Sequence, residues 1–301
     1  MPHQSTVVCF GEILWDVLPT ETLPGGAPMN VAYHLNKSGV AAYLVSRVGN
    51  DEQGKKLLSL LESWKLSTKY CQVDQRFKTS EVLAVEGENH EMEYEIVHPV
   101  AWDFIEYDEP LEPLLQKADA LVFGSLATRN TRSKKTLLAL IESAKYRVFD
   151  INLRTPHYSA VTISELLKKT NLLKLNENEL MIVGSWFDKT VQTPKDAIKM
   201  LQNDFEIKEI ILTSGSRGST YITPAGVISQ PAYHVQVADT IGSGDSFLAG
   251  FLAKKLQGET EEKALSYAAA LASFVTASHG ACPEYTKEAL TQFKEAKESE
   301  Y

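Results

Sequence analysis

Asp239-Thr240-Ile241-Gly242-Ser243-Gly244-Asp245 runs directly into Ser246-Phe247-Leu248-Ala249-Gly250-Phe251-Leu252. The first stretch reads as a small-residue loop and the second as the start of a helix, with a carboxylate in its opening turn. Phe247, Leu248, Phe251, Leu252 and Leu256 recur at helical spacing and predict one apolar face. Gly242, Ser243 and Gly244 lack bulk, and the amides of a helix start have no partners within the helix. Such a junction favours an anion, typically phosphate. Asp245 would repel that phosphate. Its presence makes sense if it takes a proton from a hydroxyl that attacks a phosphoryl group. The competing reading is capping, because an acidic residue in a first turn complements the helix dipole. The heptapeptide alone leaves both readings open.

Outward from this stretch, short apolar runs alternate with helical patterns. Val7-Phe10, Tyr43-Ser46, Ala120-Gly124, Arg147-Ile151, Leu172-Leu175 and Glu209-Thr213 read as buried strands. Helical periods fall near 28–38, 51–64, 132–144, 162–169 and 194–203. Alternation of this kind predicts right-handed crossovers and a largely parallel sheet covered on both faces: an α/β fold of three layers. Residues 71–97 break the rhythm. There Met92, Tyr94 and Ile96 alternate with Glu91, Glu93 and Glu95, after a turn at Gly87-Glu88-Asn89-His90. This predicts an antiparallel hairpin with one acidic and one apolar face, a small β-sheet standing off the main sheet. Further on, Ala264, Leu265, Ala268, Leu271, Ala272 and Val275 make a close-packing helix face that Gly280 is expected to end. A peripheral helix is expected near 286–297.

Composition narrows the function classes. The chain has 301 residues, 44% hydrophobic and 23% charged, with a formal net charge of −9. That charge, without any basic cluster, argues against nucleic acid and against an anionic membrane surface. No apolar run is long enough to span a bilayer. The N-terminus has neither a charged nor an apolar leader region, so a cytoplasmic location is expected. Cys9, Cys71 and Cys282 are scattered and lack zinc spacing, and are expected to be free thiols. His34, His90, His98 and His234 show no metal spacing either.

A second constellation lies near the N-terminus: Gly25-Gly26-Ala27-Pro28-Met29-Asn30-Val31-Ala32. Two glycines before a helix let a ligand approach the backbone, and Asn30 offers a donor and an acceptor. Upstream, Gly11-Glu12-Ile13-Leu14-Trp15-Asp16 places Asp16 just past the first strand. An Asp and an Asn converging at strand ends suit a polyol. Taken singly, Asn30 reads equally as a helix cap and Asp16 as a turn residue.

Together, the Gly-Gly-Ala-Pro-Met-Asn-Val-Ala run and Asp-Thr-Ile-Gly-Ser-Gly-Asp resemble the two signature regions of the ribokinase-like (PfkB) carbohydrate kinases. The resemblance spans the whole chain and is greatest to the bacterial fructokinase branch. It implies one three-layer α/β/α kinase domain over 1–301, with residues 71–97 and part of 12–25 as a β lid. It implies ATP-dependent transfer of phosphate to a free sugar, most simply fructose. Asp245 would be the general base, and the amides of Gly242, Ser243 and Gly244 the anion hole. Asp16, Gly26 and Asn30 would hold the sugar. Arg154, in Asp150-Ile151-Asn152-Leu153-Arg154, would face the substrate side. Asn176 and Glu179 match an Asn-x-x-Glu element that organises Mg2+ and phosphate, partly through water. Thr213, Gly215 and Gly218 match the turn along ATP. Some relatives bind a monovalent cation (K+) through positions matching the Asp239 carboxylate and the Ile241 carbonyl. The lid often pairs with a second subunit in this family, which implies a homodimer. Two positions depart: Ile241 stands where Thr is usual, and Ala269 where an Asn often lies near adenine.

Neither a dinucleotide Gly-x-Gly-x-x-Gly turn nor a Walker A motif is present, which argues against a Rossmann dehydrogenase and a P-loop kinase. A catalytically silent sugar-sensing relative would have lost the base or the anion hole, and both are intact. Among acceptors, 2-keto-3-deoxygluconate stands second, because Arg154 could pair its carboxylate. Ribose or a nucleoside follows, and a phosphorylated sugar finds no extra basic cluster. Trp15 and Trp102 are expected to pack in core or lid rather than on a sugar.

Overall fold

The structure, a computed structural model, describes residues 4–86 and 92–299. The chain opens with β1 (Thr6–Phe10), β2 (Leu14–Val17), β3 (Thr22–Gly25), α1 (Ala27–Lys37), β4 (Ala41–Gly49), α2 (Glu52–Ser63) and β5 (Cys71–Asp74). It continues through β6 (Ser80–Glu86), β7 (Met92–Ile96), α3 (Leu111–Lys117), β8 (Ala120–Gly124), α4 (Thr131–Ser143), β9 (Arg147–Asp150) and α5 (Ala160–Leu167). Then follow β10 (Leu172–Asn176), α6 (Glu177–Phe187), α7 (Pro194–Asp204), β11 (Glu209–Thr213), β12 (Ser219–Thr223) and β13 (Gly226–Gln230). Three helices close it: α8 (Ser243–Leu256), α9 (Glu261–Thr276) and α10 (Lys287–Glu298).

Nine strands form the main sheet in the order β13-β12-β11-β10-β9-β8-β1-β4-β5. Its pairings are parallel except for the β11–β12–β13 meander at one edge. β1 shows why both faces are covered. Val7 and Cys9 pack into the core layer built with α1, α8 and α9, and Val8 and Phe10 into the layer on the opposite face. Alternate residues thus serve two cores, and the strand reads as continuously apolar. The strand order reverses at β1, which has β8 on one side and β4 on the other. Ligands of open α/β sheets collect at such a point, beyond the carboxyl ends of the strands.

Four strands form the second sheet, in the order β3-β2-β6-β7. The expected hairpin is there, with Val82 opposite Ile96. Its expected turn at Gly87–His90, with Glu91, lies outside the described residues. The foot of β7 is pinned to the main body. Arg129 donates to the Val97 carbonyl (2.8 Å) and pairs with Asp103 (2.7 Å), both side chains being buried. Trp102, wholly buried, lies beneath the Arg129 guanidinium at 3.9 Å, so it is a packing residue as expected.

Three readings need correction. Cys71–Asp74 runs parallel to β4 and forms the edge of the large sheet, so within residues 71–97 the contribution to the separate sheet starts only at Ser80. The apolar character of that short run did not say which sheet it joins. Helix α8 buries every residue from Ser246 to Ala253, rather than presenting one face, because it is wedged between α1, α9 and the sheet. Helix α9 ends at Thr276, with Gly280 beyond it in the following loop. Helices α3 and α6 and the β12–β13 hairpin had no clear sequence period and were not anticipated.

Candidate active site

Two glycine-led helix starts meet at the carboxyl ends of the strands. Helix α8 begins at Gly242 (φ +73°), and no side chain caps it. A Cβ on Gly242 would come within 2.5 Å of Ala281, so space and backbone both demand glycine. Among the described residues, no carbonyl or side chain accepts from the amides of Gly244 and Asp245. Ser243 takes a hydrogen bond from Thr276 at 3.2 Å through its hydroxyl. The Ser243 amide donates to the Thr240 carbonyl (3.3 Å), so the amides of Gly244 and Asp245, with the helix dipole, are what this start leaves open.

Asp245 does not cap this helix. Its Oδ2 accepts from Asn30 Nδ2 at 2.8 Å, across 215 residues of sequence. Burial raises its pKa to about 6, with Asp150 pushing further and Lys174, Asn30 and Arg154 opposing. Capping as the sole role of Asp245 is thereby excluded. Asn30 sits in the first turn of α1, where it does not cap the helix either. Its Oδ1 faces Cys282 Sγ at 3.4 Å.

Helix α1 begins at Gly26 (φ +114°), again without a side-chain cap. Here the cradle is crowded by the Glu12 backbone and the Asp16 carboxylate. A Cβ on Gly26 would strike the Glu12 carbonyl at 2.5 Å, and one on Gly25 the Asp16 carboxylate at 2.2 Å. Asp16 lies on β2, not in a turn; burial lifts its pKa to about 6, with Arg154 opposing and Asp239 and Asp245 adding to the rise. Glu12 is 2% exposed, and its Oε2 has no hydrogen-bond partner. Burial pushes it to about 7, against the backbone amides of Glu12 and Ala27 that face its carboxyl. Arg154 is exposed and makes no side-chain hydrogen bond among the described residues. Its charge reaches Glu12, Asp16 and Asp245 alike, so these four groups share the cleft.

Asn176 and Glu179 form a capping box on α6: Glu179 Oε2 accepts from Asn176 N–H (2.9 Å), and Asn176 Oδ1 from Glu179 N–H (2.9 Å). Glu179 Oε1 also accepts from Leu153 N–H at 3.0 Å. Burial raises the Glu179 pKa. Among the described residues no cluster of three or more His, Cys, Asp or Glu side chains could hold a metal alone. A single carboxylate with lone pairs to spare suits an ion carried chiefly by phosphates and water. Thr213 ends β11, and Gly215 and Gly218 bracket a short turn whose Ser214 and Arg217 bind Glu177. Asp239 clasps two loops, accepting from Ile241 N–H (2.9 Å) and Gly280 N–H (3.3 Å). Ala269 is buried in the core.

Sequence reasoning missed Lys174 and gave Glu12 no role. Lys174 Nζ donates to Asp150 Oδ2 at 2.6 Å, both residues buried. The available signal was an ionisable residue inside the apolar run Leu172-Leu173-Lys174-Leu175. Cys9, Cys71 and Cys282 are free. No described helix is long and apolar enough to cross a membrane.

The chain is similar to known proteins along most of its length. Residues 5–288 match the family described as pfkB family carbohydrate kinase. A Pyrococcus horikoshii protein named as a sugar kinase is 28% identical over 294 residues, covering 95% of this chain and 91% of its own. Fructokinase-2 of Oryza sativa is 26% identical, covering 95% of this chain and 92% of its own. The crystal structure of a fructokinase from Xylella fastidiosa with bound ATP superposes with a TM-score of 0.85 at 20% identity. It covers 97% of this chain and 99% of the other.

Proposed function

This chain belongs to the pfkB family of carbohydrate kinases, and on that footing we propose that it phosphorylates a free sugar with ATP, fructose first, giving fructose 6-phosphate. The observation that carries the reading is the Asn30–Asp245 hydrogen bond, which joins the two helix starts into one site. One start offers amides to an anion, and the other is lined by acids that suit hydroxyl groups.

In this reading Asp16, the Gly26 backbone and Asn30 hold the sugar and direct one hydroxyl at Asp245. Asp245 removes that proton as the oxygen–phosphorus bond forms, and the amides of Gly242, Ser243 and Gly244 receive the charge on the phosphoryl oxygens. A carboxyl raised to about 6 is a better proton acceptor than an ordinary aspartate at about 3.9. Thr213, Gly215 and Gly218 run along the nucleotide. Asn176 and Glu179 would hold Mg2+ through water, and the ion would neutralise the phosphates. Asp239 and the Ile241 carbonyl would hold K+, which would add positive charge near the phosphates. The small sheet acts as a lid that excludes water, which would otherwise accept the phosphate. It is also the surface through which a second copy would pair, and sedimentation showing only monomer at micromolar concentration would remove that part.

The Arg154 guanidinium, without a side-chain hydrogen bond among the described residues, favours a second acceptor, 2-keto-3-deoxygluconate, whose carboxylate it would hold. A coupled ADP-release assay with ATP and Mg2+ decides between them. Turnover on fructose supports the first reading and turnover on the keto-acid the second. Silence on both, and on ribose and adenosine, would leave a sugar-sensing relative.

A further inference from the structure

We propose that Lys174 is a catalytic residue: its ammonium donates to an oxygen of the transferring phosphoryl group beside Gly244, and Asp150 holds it in position. The proposal rests on the reading of this cleft as a kinase site.

Lys174, in the middle of β10, is 7% exposed, and Asp150, which ends the adjacent β9 and pairs with it in register, is 4% exposed. Their ion pair accounts for only part of what each can bond. Asp150 Oδ1 is buried without a hydrogen-bond partner among the described residues. Among the described residues Asp150 Oδ2 is the single acceptor for Lys174 Nζ, so two of its three N–H donors are unspent. The ammonium also lies against the first turn of α8, since a Cβ on Gly244 would stand 3.1 Å from Nζ. Stability does not account for such a pair. Replacing a buried ion pair by apolar side chains is often neutral or stabilising.

Charge supplies the reason. Lys174 pairs with Asp150 at 2.6 Å and lies against the first turn of α8, the turn that carries Asp245. Glu12 and Asp16 add to the acidity of the same cleft. A phosphate entering there meets carboxylates on most sides, and Lys174 is the buried cation at its anion hole. During transfer the bond from the γ-phosphorus to the bridging oxygen breaks and the bond to the acceptor oxygen forms. The acceptor proton passes to Asp245, and ADP leaves with the bridging electron pair. Lys174 keeps its proton throughout and meets charge on the equatorial oxygens. Loss of one such donor in a water-excluded site costs about 10²–10³-fold in kcat.

The test compares the parent with Lys174→Met, Lys174→Arg and the pair Asp150→Asn/Lys174→Met, on whichever acceptor the parent uses. Lys174→Met is expected to lower kcat by about 10²–10³-fold and shift the KM for ATP by less than about threefold. Arg is expected to restore about tenfold of that loss. The double variant removes both buried charges, so it decides the matter if Lys174→Met alone does not fold. A folded variant lacking the ammonium, with kcat within about threefold of the parent, overturns the proposal. A second arm needs no acceptor. Calorimetry of ADP with and without aluminium fluoride, a mimic of the transferring phosphoryl group, should show an affinity gain that Lys174→Met loses. An equal gain in both proteins overturns the role of Lys174. If instead the parent phosphorylates no sugar while its gain depends on Lys174, the sugar-kinase reading fails and this one stands.

Discussion

Helices α1 and α8 both start at a glycine without a side-chain cap. By contrast α2, α4, α5, α6, α7, α9 and α10 are capped by Asp51, Asn130, Ser159, Asn176, Thr193, Thr260 and Thr286. Helix α3 also lacks a side-chain cap but starts at Pro110, and the two glycine-led starts diverge from each other. At α1 the Glu12 backbone and the Asp16 carboxylate crowd the cradle, and an anionic ligand would be repelled there. At α8 the amides of Gly244 and Asp245 stand free beside Lys174, whose charge offsets the neighbouring carboxylates for an anionic ligand. One local device, an open helix start, is tuned by its neighbours into a polyol site in one place and a phosphate site in the other.

Removing the group between the two starts has the largest expected effect. Asp245→Asn should lower kcat by about 10²–10⁴-fold while sugar binding, followed by calorimetry, stays near the parent value. A near-normal rate would take the base away from α8. Glycine replacements sharpen the contrast next. Gly242→Ala must strain a φ of +73° and displace Ala281, so kcat should fall by about 10²-fold with sugar affinity kept. Gly26→Ala should do the reverse, raising the sugar KM by about tenfold and leaving the KM for ATP alone. If both variants weaken the same substrate, the two starts are not separate sites.

The pH profile gives a smaller effect. Because its pKa is raised to about 6, Asp245 is deprotonated above that pH and loses its basicity below it. The rate at saturating ATP should therefore fall by about tenfold per unit as pH drops below about 6. The pH dependence of kcat/KM for the sugar measures this limb, and a profile flat down to pH about 4 would contradict it. Least of all, Glu12→Gln should change the sugar KM by about threefold without touching that for ATP.

Much of this was legible in local spacing. The parallel-strand runs, the stand-off hairpin and both glycine junctions were read from periods and turn residues, and one residue from each junction, Asn30 and Asp245, meet in a hydrogen bond. What escaped was whatever depended on an unseen neighbour. The apolar run at Cys71–Asp74 joins the large sheet through β4, and nothing within those four residues distinguishes that sheet from the other. Helix α8 looked one-sided because periodicity counts large side chains. Its Ala249, Gly250 and Ala253 are as buried as its Phe and Leu, because α9 packs closely against them.

By itself the sequence determined where backbone amides would be left open and which carboxylates stood near them, since glycine spacing and helical period act over a few residues. Tertiary structure alone decided what those groups do to one another. Asn30 reaches Asp245 across 215 residues, and Lys174 meets Asp150 across 24. Hydrogen-bond geometry and desolvation depend on distance in space, and only the packed sheet sets those distances.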